Sequence, residues 1–204
     1  EDYVDTAGNA WRPATEFVIR SGNGLDSVAS SWWTNRTRLQ IDGTKDPELY
    51  RYGVHGRDFW ADFTVAPGKY HARLKFVETR NIATELRAIT IRINGREVVA
   101  GFDIASTAGG TGKSVLTHRQ GDPYGNWSGL YRAVDLVFND IEPASGVISI
   151  RLSGSFGGEA IVQAIEIGPN DGGTGAKPVT VTPAVASRPA SPDGNLLVNG
   201  GFED

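Results

Sequence analysis

Several segments of the chain alternate apolar with polar residues. Alternation covers residues 59–65, 70–76, 89–93 and 148–152. A period of two residues is typical of a β-strand that has one face in a core and one face in water. Residues 133–138 and 161–167 are more continuously apolar, and we expect them to form central strands.

Short turn sequences separate these strands. Asn94-Gly95 predicts a tight hairpin, and residues 66–69 and 142–146 predict two further short turns, each between neighbouring strands. No helical pattern of about twelve residues lies between the strands. The sequence therefore predicts an all-β fold, an antiparallel β-sandwich of the jelly-roll or lectin-like type.

Periodicity and composition also predict the organisation of the chain. Residues 9–45 and 105–131 have weak periodicity, and we expect them to form long loops with short strands, with long loops at one end of the sandwich. Residues 1–169 are predicted to form this domain, and 170–194 a Pro/Gly/Ser/Thr-rich linker. Residues 195–204 regain an apolar start, which predicts the truncated first strand of a following domain. We expect the chain to be a fragment of a modular protein.

Composition narrows the function further. The 204 residues include 26 Gly and no Cys, and their formal net charge is -4. A net negative charge argues against a nucleic-acid partner, because proteins that bind nucleic acids need a basic face. No apolar run approaches the ~20 residues of a membrane helix, so no membrane span is expected. The absence of Cys excludes a disulfide and a cysteine nucleophile.

Three patterns resemble catalytic or cofactor sites and are better explained otherwise. Residues 107–114 end in Gly-Lys-Ser like a phosphate-binding loop, but Thr107 replaces the required first glycine. His71 alternates with basic residues, which predicts a solvated strand face rather than a metal ligand. Asp58 and Asp62 lie about 13 Å apart on one strand, beyond the ~5–9.5 Å of glycosidase carboxylate pairs. We therefore expect no catalytic group and no cofactor.

The tryptophans stand outside the predicted core. Trp11, Trp32, Trp33 and Trp127 lie in loop-like sequence, and Trp60 lies on the polar face of its strand. Exposed aromatic rings stack on the apolar faces of sugars, and nearby carboxylate, amide and guanidinium groups bind sugar hydroxyls. The alternative is that long loops fold back and these rings close the ends of the sandwich.

A hairpin turn at 66–69 would place residues 50–57 and 79–86 together at the opposite end of the sandwich. We predict this to be the binding end. Its candidate residues are Tyr50, Arg51, Tyr52, His55, Arg57, Arg80 and Asn81.

An ordered set of short motifs resembles malectin and malectin-like domains, which include carbohydrate-binding module family 57. The matching segments are Asp5-x-x-Gly8-x-x-Trp11, residues 49–53, 58–63, 68–78, 91–99, 102–104, 108–110 and 164–167. The resemblance covers residues 3–169. It implies a lectin-like β-sandwich that binds glucose-containing oligosaccharides at a loop end.

The resemblance also implies site residues. Aromatic positions fall on Trp11, on Trp32 or Trp33, and on Tyr52; Trp60 is favoured over its core-facing neighbour Phe59, and a late acid falls near Glu159. Residues 195–203 resemble the first strand of another bacterial carbohydrate-binding module. This second resemblance implies that Glu203 is a ligand of a structural calcium ion. That role would apply only to the complete following domain of the parent protein.

These observations favour a non-catalytic carbohydrate-binding module that targets a secreted bacterial polysaccharide-degrading enzyme, a hydrolase or a lyase, to its glycan. The expected partners are an oligo- or polysaccharide and the catalytic domain of the same polypeptide. We expect the fragment to be monomeric and its location to be secreted, cell-surface or periplasmic. The alternative is a structural spacer that packs on that catalytic domain; a hydrolase or lyase activity of the domain itself is the third possibility.

Overall fold

The protein is described here by a computed structural model, which covers residues 3–21, 29–30, 40–79, 87–109, 131–155, 158–170 and 182–183. Fourteen strands, two short α-helices and one 3-10 helix (Ala14–Glu16) lie within these residues. The strands are β1 (Tyr3–Val4), β2 (Ala10–Trp11), β3 (Val18–Ser21), β4 (Ala29–Ser30), β5 (Val54–Gly56), β6 (Asp58–Thr64), β7 (Tyr70–Phe76), β8 (Ile89–Ile93), β9 (Arg96–Phe102), β10 (Val134–Ile141), β11 (Val147–Gly154), β12 (Ala160–Val162), β13 (Ala164–Pro169) and β14 (Thr182–Pro183). The α-helices are α1 (Glu48–Arg51) and α2 (Ile104–Thr107).

Two antiparallel sheets enclose the main core, which confirms the predicted all-β sandwich. The larger sheet has the order β6-β11-β8-β9, and both β3 and β14 pair with the free edge of β6. The smaller sheet has the order β10-β7-β13. Apolar residues at alternate positions of each sheet meet in one cluster that includes Phe59, Leu74, Phe76, Ile91 and Ile150, all at most 1% exposed. Two additional sheets, β12-β5-β4 and β1-β2, flank this sandwich.

The predicted turns have different outcomes. The hairpin at Asn94-Gly95 is confirmed, since β8 pairs with β9 and both turn residues have positive φ, 50° and 80°, as a type I′ turn requires. The hairpin at 66–69 is wrong, because β6 and β7 belong to different sheets. The segment 142–146 likewise connects β10 in one sheet to β11 in the other. The alternation of apolar and polar residues predicts which face of a strand is buried. It does not predict which other strand pairs with it in the sheet.

The strand directions separate the two ends of the sandwich. The short connections after β6, β8 and β10 lie together at one end, because their strands are antiparallel and in register. The connections that follow β7, β9 and β11 begin at the opposite end of the sandwich. The connections that precede β6 and β10 finish at that same end. The segment that precedes β6 therefore lies at the end opposite the short connections, as expected, and a binding role for this end stays a prediction.

The prediction that His71 lies on a solvated face is wrong. The side chain is fully buried; Nδ1 lies 2.5 Å from the Pro169 carbonyl oxygen, and Nε2 lies 2.8 Å from a Glu166 carboxylate oxygen. The reason is the neighbouring strand, where Gly168 is the register partner of His71. A Cβ atom on Gly168 would come within 2.4 Å of the imidazole ring, so the glycine provides the space in which the ring lies.

Charged residues continue along the same outer face of the smaller sheet. Asp135 of β10 accepts hydrogen bonds from Arg73 at 3.2 Å and from Lys75 at 3.0 Å. Arg73 also lies 3.6 Å from Glu166. Opposite charges on neighbouring strands therefore neutralise one another across this face.

The C-terminal part of the described chain remains in contact with the sandwich. Asn170 exchanges hydrogen bonds with Asp140, at 2.8 Å to the backbone and 2.9 Å to the side chain. Within the predicted linker, Thr182 and Pro183 pair with Thr64 and Phe63 at the free edge of β6. The rest of 171–204, including Glu203, lies outside the described residues. No helix in the described part of the chain is long and apolar enough to cross a membrane.

Candidate functional site

A cavity of about 670 Å³ lies beside β6, between the larger sheet and the β12-β13 segment. Its volume is within the ~300–1,000 Å³ range that is typical of small-molecule sites. The lining residues are Tyr3, Trp11, Arg12, Pro13, Ala14, Phe17, Glu48, Leu49, Tyr52, Gly53, Val54, Phe59, Ala61, Phe63, Val162, Gln163, Ala164 and Ile165.

The cavity has an apolar floor and an aromatic entrance. The floor comes from the core-facing residues of β6, namely Phe59, Ala61 and Phe63, each at most 4% exposed. Helix α1 ends at Arg51, and the backbone of Tyr52 becomes extended, with φ -120° and ψ 154°. The Tyr52 side chain is 44% exposed and lines the cavity. An aromatic ring therefore stands at the boundary between the cavity and water.

The N-terminal hairpin, β1 and β2, supplies the opposite wall. Its strands pair Tyr3 with Trp11. The Asp5 carboxylate organises the connecting loop, because it accepts hydrogen bonds from the backbone N–H groups of Ala7 and Asn9, the Asn9 amide and the Trp11 indole N–H, at 2.8–3.0 Å. Burial raises the pKa of Asp5, but these hydrogen bonds together outweigh burial and hold the pKa below its usual value.

A second carboxylate, Asp46, attaches this hairpin to the body of the domain. It accepts hydrogen bonds from the Tyr3 hydroxyl at 3.1 Å and from the Thr6 backbone and hydroxyl at 2.8 and 2.9 Å. Burial, followed by the bond to Asp46, raises the pKa of the Tyr3 hydroxyl. The wall that carries Tyr3 and Trp11 is thus fixed by side chains distant in sequence.

Lys75 connects Trp11 with the charged face of the smaller sheet. Its ammonium lies 5.8 Å from the Trp11 ring centroid and 5.5 Å from that of Tyr50, within cation–π range. The Tyr50 hydroxyl donates a 2.5 Å hydrogen bond to Asp135. Burial, with this bond to Asp135 second, raises the pKa of Tyr50. Because Tyr50 is 3% exposed and its hydroxyl bonds to Asp135, its prediction as a binding residue is not supported.

The structure brings together two of the predicted site residues, Trp11 and Tyr52, at the cavity. Trp60 lies on the outer face of β6, on the opposite side from the cavity floor, and the Arg151 guanidinium is 5.7 Å from its ring. The predicted residues Trp32, Trp33, Arg80, Asn81 and Trp127 lie outside the described residues.

Arg57 and Glu159 lie near the end of β11 rather than at the cavity. Arg57 is exposed, and its carbonyl accepts a hydrogen bond from the Gly154 N–H. A Glu159 carboxylate oxygen lies 3.2 Å from His55 Nδ1, and the Glu159 carbonyl accepts a 2.8 Å bond from Arg87. Arg87 in turn forms a buried ion pair with Glu78 at 2.5 Å. These contacts give Glu159 a place in a polar cluster separate from Trp11 and Tyr52.

Sequence reasoning missed several lining residues, among them Tyr3, Arg12, Phe17, Glu48 and Gln163. Gln163 stands between β12 and β13, where its amide exchanges two 3.0 Å hydrogen bonds with the Val77 backbone. The motif Asp5-x-x-Gly8-x-x-Trp11 could have directed attention to Tyr3, two positions before it. Nothing in the local pattern at Gln163 indicates a cavity.

The shape and lining of the cavity resemble those of a small-molecule binding site. Among the described residues no three His, Asp or Glu side chains are grouped so that they could hold a metal ion. The carboxylates of Asp58 and Asp62 accept hydrogen bonds from Arg151 and from Ser149, respectively, on the outer face of β6. A concave, mostly apolar cavity with a few polar lining groups is typical of a small-molecule binding site.

A malectin domain family model matches residues 4–120, and the chain therefore belongs to the malectin domain family, a carbohydrate-binding fold. No curated protein matches the sequence.

Solved structures show the same fold at low sequence identity. The ANX1 ectodomain from Arabidopsis thaliana matches with a TM-score of 0.60 and 16% identity, over 82% of this chain and 38% of that one. The plant receptor-like kinase ANX2 matches with a TM-score of 0.59 and 17% identity, over 82% and 45%. A Bacteroides uniformis β-glucuronidase matches with a TM-score of 0.55 and 16% identity, over 83% and 16%. The chain thus spans less than half the length of these proteins.

Proposed function

We propose that this chain is a non-catalytic carbohydrate-binding module whose cavity binds a short, neutral saccharide. The observation that carries this proposal is the convergence of Tyr3, Trp11 and Tyr52 on one cavity whose lining also includes the polar residues Glu48 and Gln163. Membership of the malectin domain family supports a saccharide as the ligand.

The chemistry of the lining matches the two kinds of surface on a sugar ring. The C–H face of a pyranose is apolar and stacks on aromatic rings, which offer a large rigid contact area. Its hydroxyls both donate and accept hydrogen bonds, and they therefore suit both an amide such as Gln163 and a carboxylate such as Glu48. A ligand without hydroxyls would leave the remaining hydrogen-bonding capacity of these groups unused.

The charges at the cavity favour a neutral ligand. Arg12 forms an ion pair with Glu16, and Glu48 forms one with Arg51 at 2.7 Å. Each charged lining residue thus has an opposite charge beside it. A uronic acid or a sulfated sugar would have to compete with these carboxylates for its cation, whereas neutral hydroxyls can bond to the existing pairs.

The wider role proposed is targeting. We infer that the chain is one module of a secreted bacterial polysaccharide-degrading enzyme, in which it holds the catalytic domain close to its glycan. The likeness to receptor ectodomains and to a bacterial β-glucuronidase supports an extracellular location and a modular parent. Any calcium bound through Glu203 would belong to the following domain. Shallow sugar sites bind weakly, and repeated modules would supply avidity.

Titration of the chain against a panel of neutral and acidic oligosaccharides, followed by calorimetry, tests the proposal. We expect binding of a neutral saccharide that changes little with salt concentration. Tyr52→Ala should weaken this binding roughly tenfold, because it removes one stacking ring. Trp60→Ala is the matched control: Trp60 lies on the other side of β6, and affinity should stay unchanged. Absence of binding to every glycan at millimolar concentration would refute the function.

A further inference from the structure

The Trp11 side chain is held at several points before any ligand is present. Its indole N–H donates to Asp5 Oδ2 at 2.9 Å, and the Lys75 ammonium lies 5.8 Å from its ring. Its backbone pairs with that of Tyr3. We propose that Asp5 is a positioning residue, which fixes the Trp11 ring as the stacking platform of the cavity. This inference rests on the proposed saccharide-binding function.

The two oxygens of Asp5 perform different tasks. Oδ1 accepts the backbone N–H groups of Ala7 and Asn9 at 3.0 and 2.8 Å, and it therefore shapes the loop between β1 and β2. Oδ2 accepts the Asn9 amide at 3.0 Å and the Trp11 indole N–H at 2.9 Å, and it therefore orients side chains. Replacement of Oδ2 alone should release the ring and leave the loop in place.

The hairpin needs such a device because it is small. Strands β1 and β2 have two residues each and join neither of the two main sheets. An isolated two-stranded hairpin is marginally stable in water. A ring that is ordered only when the ligand arrives lowers affinity by the entropy lost on ordering, and a ring held in advance avoids that loss. Asp5 thus acts on sugar affinity through Trp11 and without touching the sugar.

Asp46 provides a natural comparison. It binds the same hairpin through Tyr3 and Thr6, and none of its hydrogen bonds goes to Trp11. If Asp5 acted merely by anchoring the hairpin, loss of Asp46 would have the same effect on Trp11 as loss of Asp5.

The test combines affinity with the NMR signal of the Trp11 indole N–H, which is assigned by its absence from Trp11→Phe. Asp5→Asn keeps an oxygen for the loop and replaces the acceptor opposite the indole with an N–H donor. We expect it to weaken saccharide binding about threefold to tenfold and to shift the Trp11 indole signal. Asp46→Asn should leave that signal in place. In a Trp11→Phe background, which has no indole N–H, Asp5→Asn should have no further effect on affinity.

Distinct outcomes separate this inference from the proposed function. An unmodified chain that binds no glycan refutes the proposed function and the saccharide part of the inference. If Asp5→Asn binds the glycan as tightly as the unmodified chain does, or if its loss of affinity is equal in both backgrounds, the positioning role alone is overturned. If Asp5→Asn does not fold, exchange of the indole N–H in the unmodified chain decides: exchange as fast as in a free indole contradicts a held ring.

Discussion

Gly168→Ala is the substitution that should most directly report how the smaller sheet is packed. The added Cβ would lie 2.4 Å from His71 Cε1 and 2.9 Å from Nε2. Ordinary carbon contacts are about 3.5–4.0 Å, so the ring must move by roughly 1 Å. His71 is fully buried and bonds to Pro169 and Glu166 at 2.5 and 2.8 Å, so a shift of that size stretches or breaks one of these hydrogen bonds.

The expected cost follows from these contacts. Overpacking of a buried site costs about 1–3 kcal/mol, and leaving one buried polar group without its partner costs about 1–3 kcal/mol. Alanine also reduces the conformational entropy of the unfolded chain relative to glycine, which offsets about 0.4–1 kcal/mol of this loss of stability. We therefore expect Gly168→Ala to lower the free energy of unfolding by about 1–5 kcal/mol.

Urea denaturation of four chains measures this cost: the unmodified chain, Gly168→Ala, His71→Ala and the double variant. Removal of the imidazole makes room for the new methyl group, so Gly168→Ala should cost less than about 1 kcal/mol in the His71→Ala background. A loss below about 0.5 kcal/mol in the unmodified background, or equal losses in both, would show that the ring does not fill the space above Gly168.

Two further predictions concern ionisable groups. Glu78→Gln should lower the free energy of unfolding by about 3–5 kcal/mol because it leaves the buried Arg87 without its charge partner; an unchanged urea midpoint would contradict this, and Glu97→Gln at an exposed ion pair with Arg92 is the control. The pKa of Asp5 is lower in the folded chain, so its contribution to stability is present above the unfolded value and is lost as pH falls through the folded value. The stability of the unmodified chain should therefore fall more steeply with decreasing pH than that of Asp5→Asn. Superimposable acid unfolding curves would show that the pKa of Asp5 is not lowered on folding.

The sequence by itself determined four strands and their buried faces, whereas residues 133–138 and 161–167, expected to form central strands, lie in edge strands. Alternation of apolar and polar residues depends only on a local property, the two-residue period of the pleat, so the core positions of β6, β7, β8 and β11 follow from it directly. The Asn94-Gly95 turn could be predicted for the same reason, since its conformation depends on two adjacent residues. The motif around Asp5 and Trp11 likewise directed attention to an aromatic residue that lines the cavity; that Trp11 binds a ligand stays a prediction.

The tertiary structure alone decided which strands are partners and which side chains meet. Assignment of β6 and β7 to different sheets removed a predicted hairpin, and the register of β13 with β7 buried His71 above Gly168. The same assembly put Tyr52 at the cavity with Trp11 and left Trp60 on the other side of β6. Contacts between residues far apart in sequence depend on how whole sheets pack, and no local pattern encodes them. The cavity therefore becomes visible only when the fold has brought its walls together.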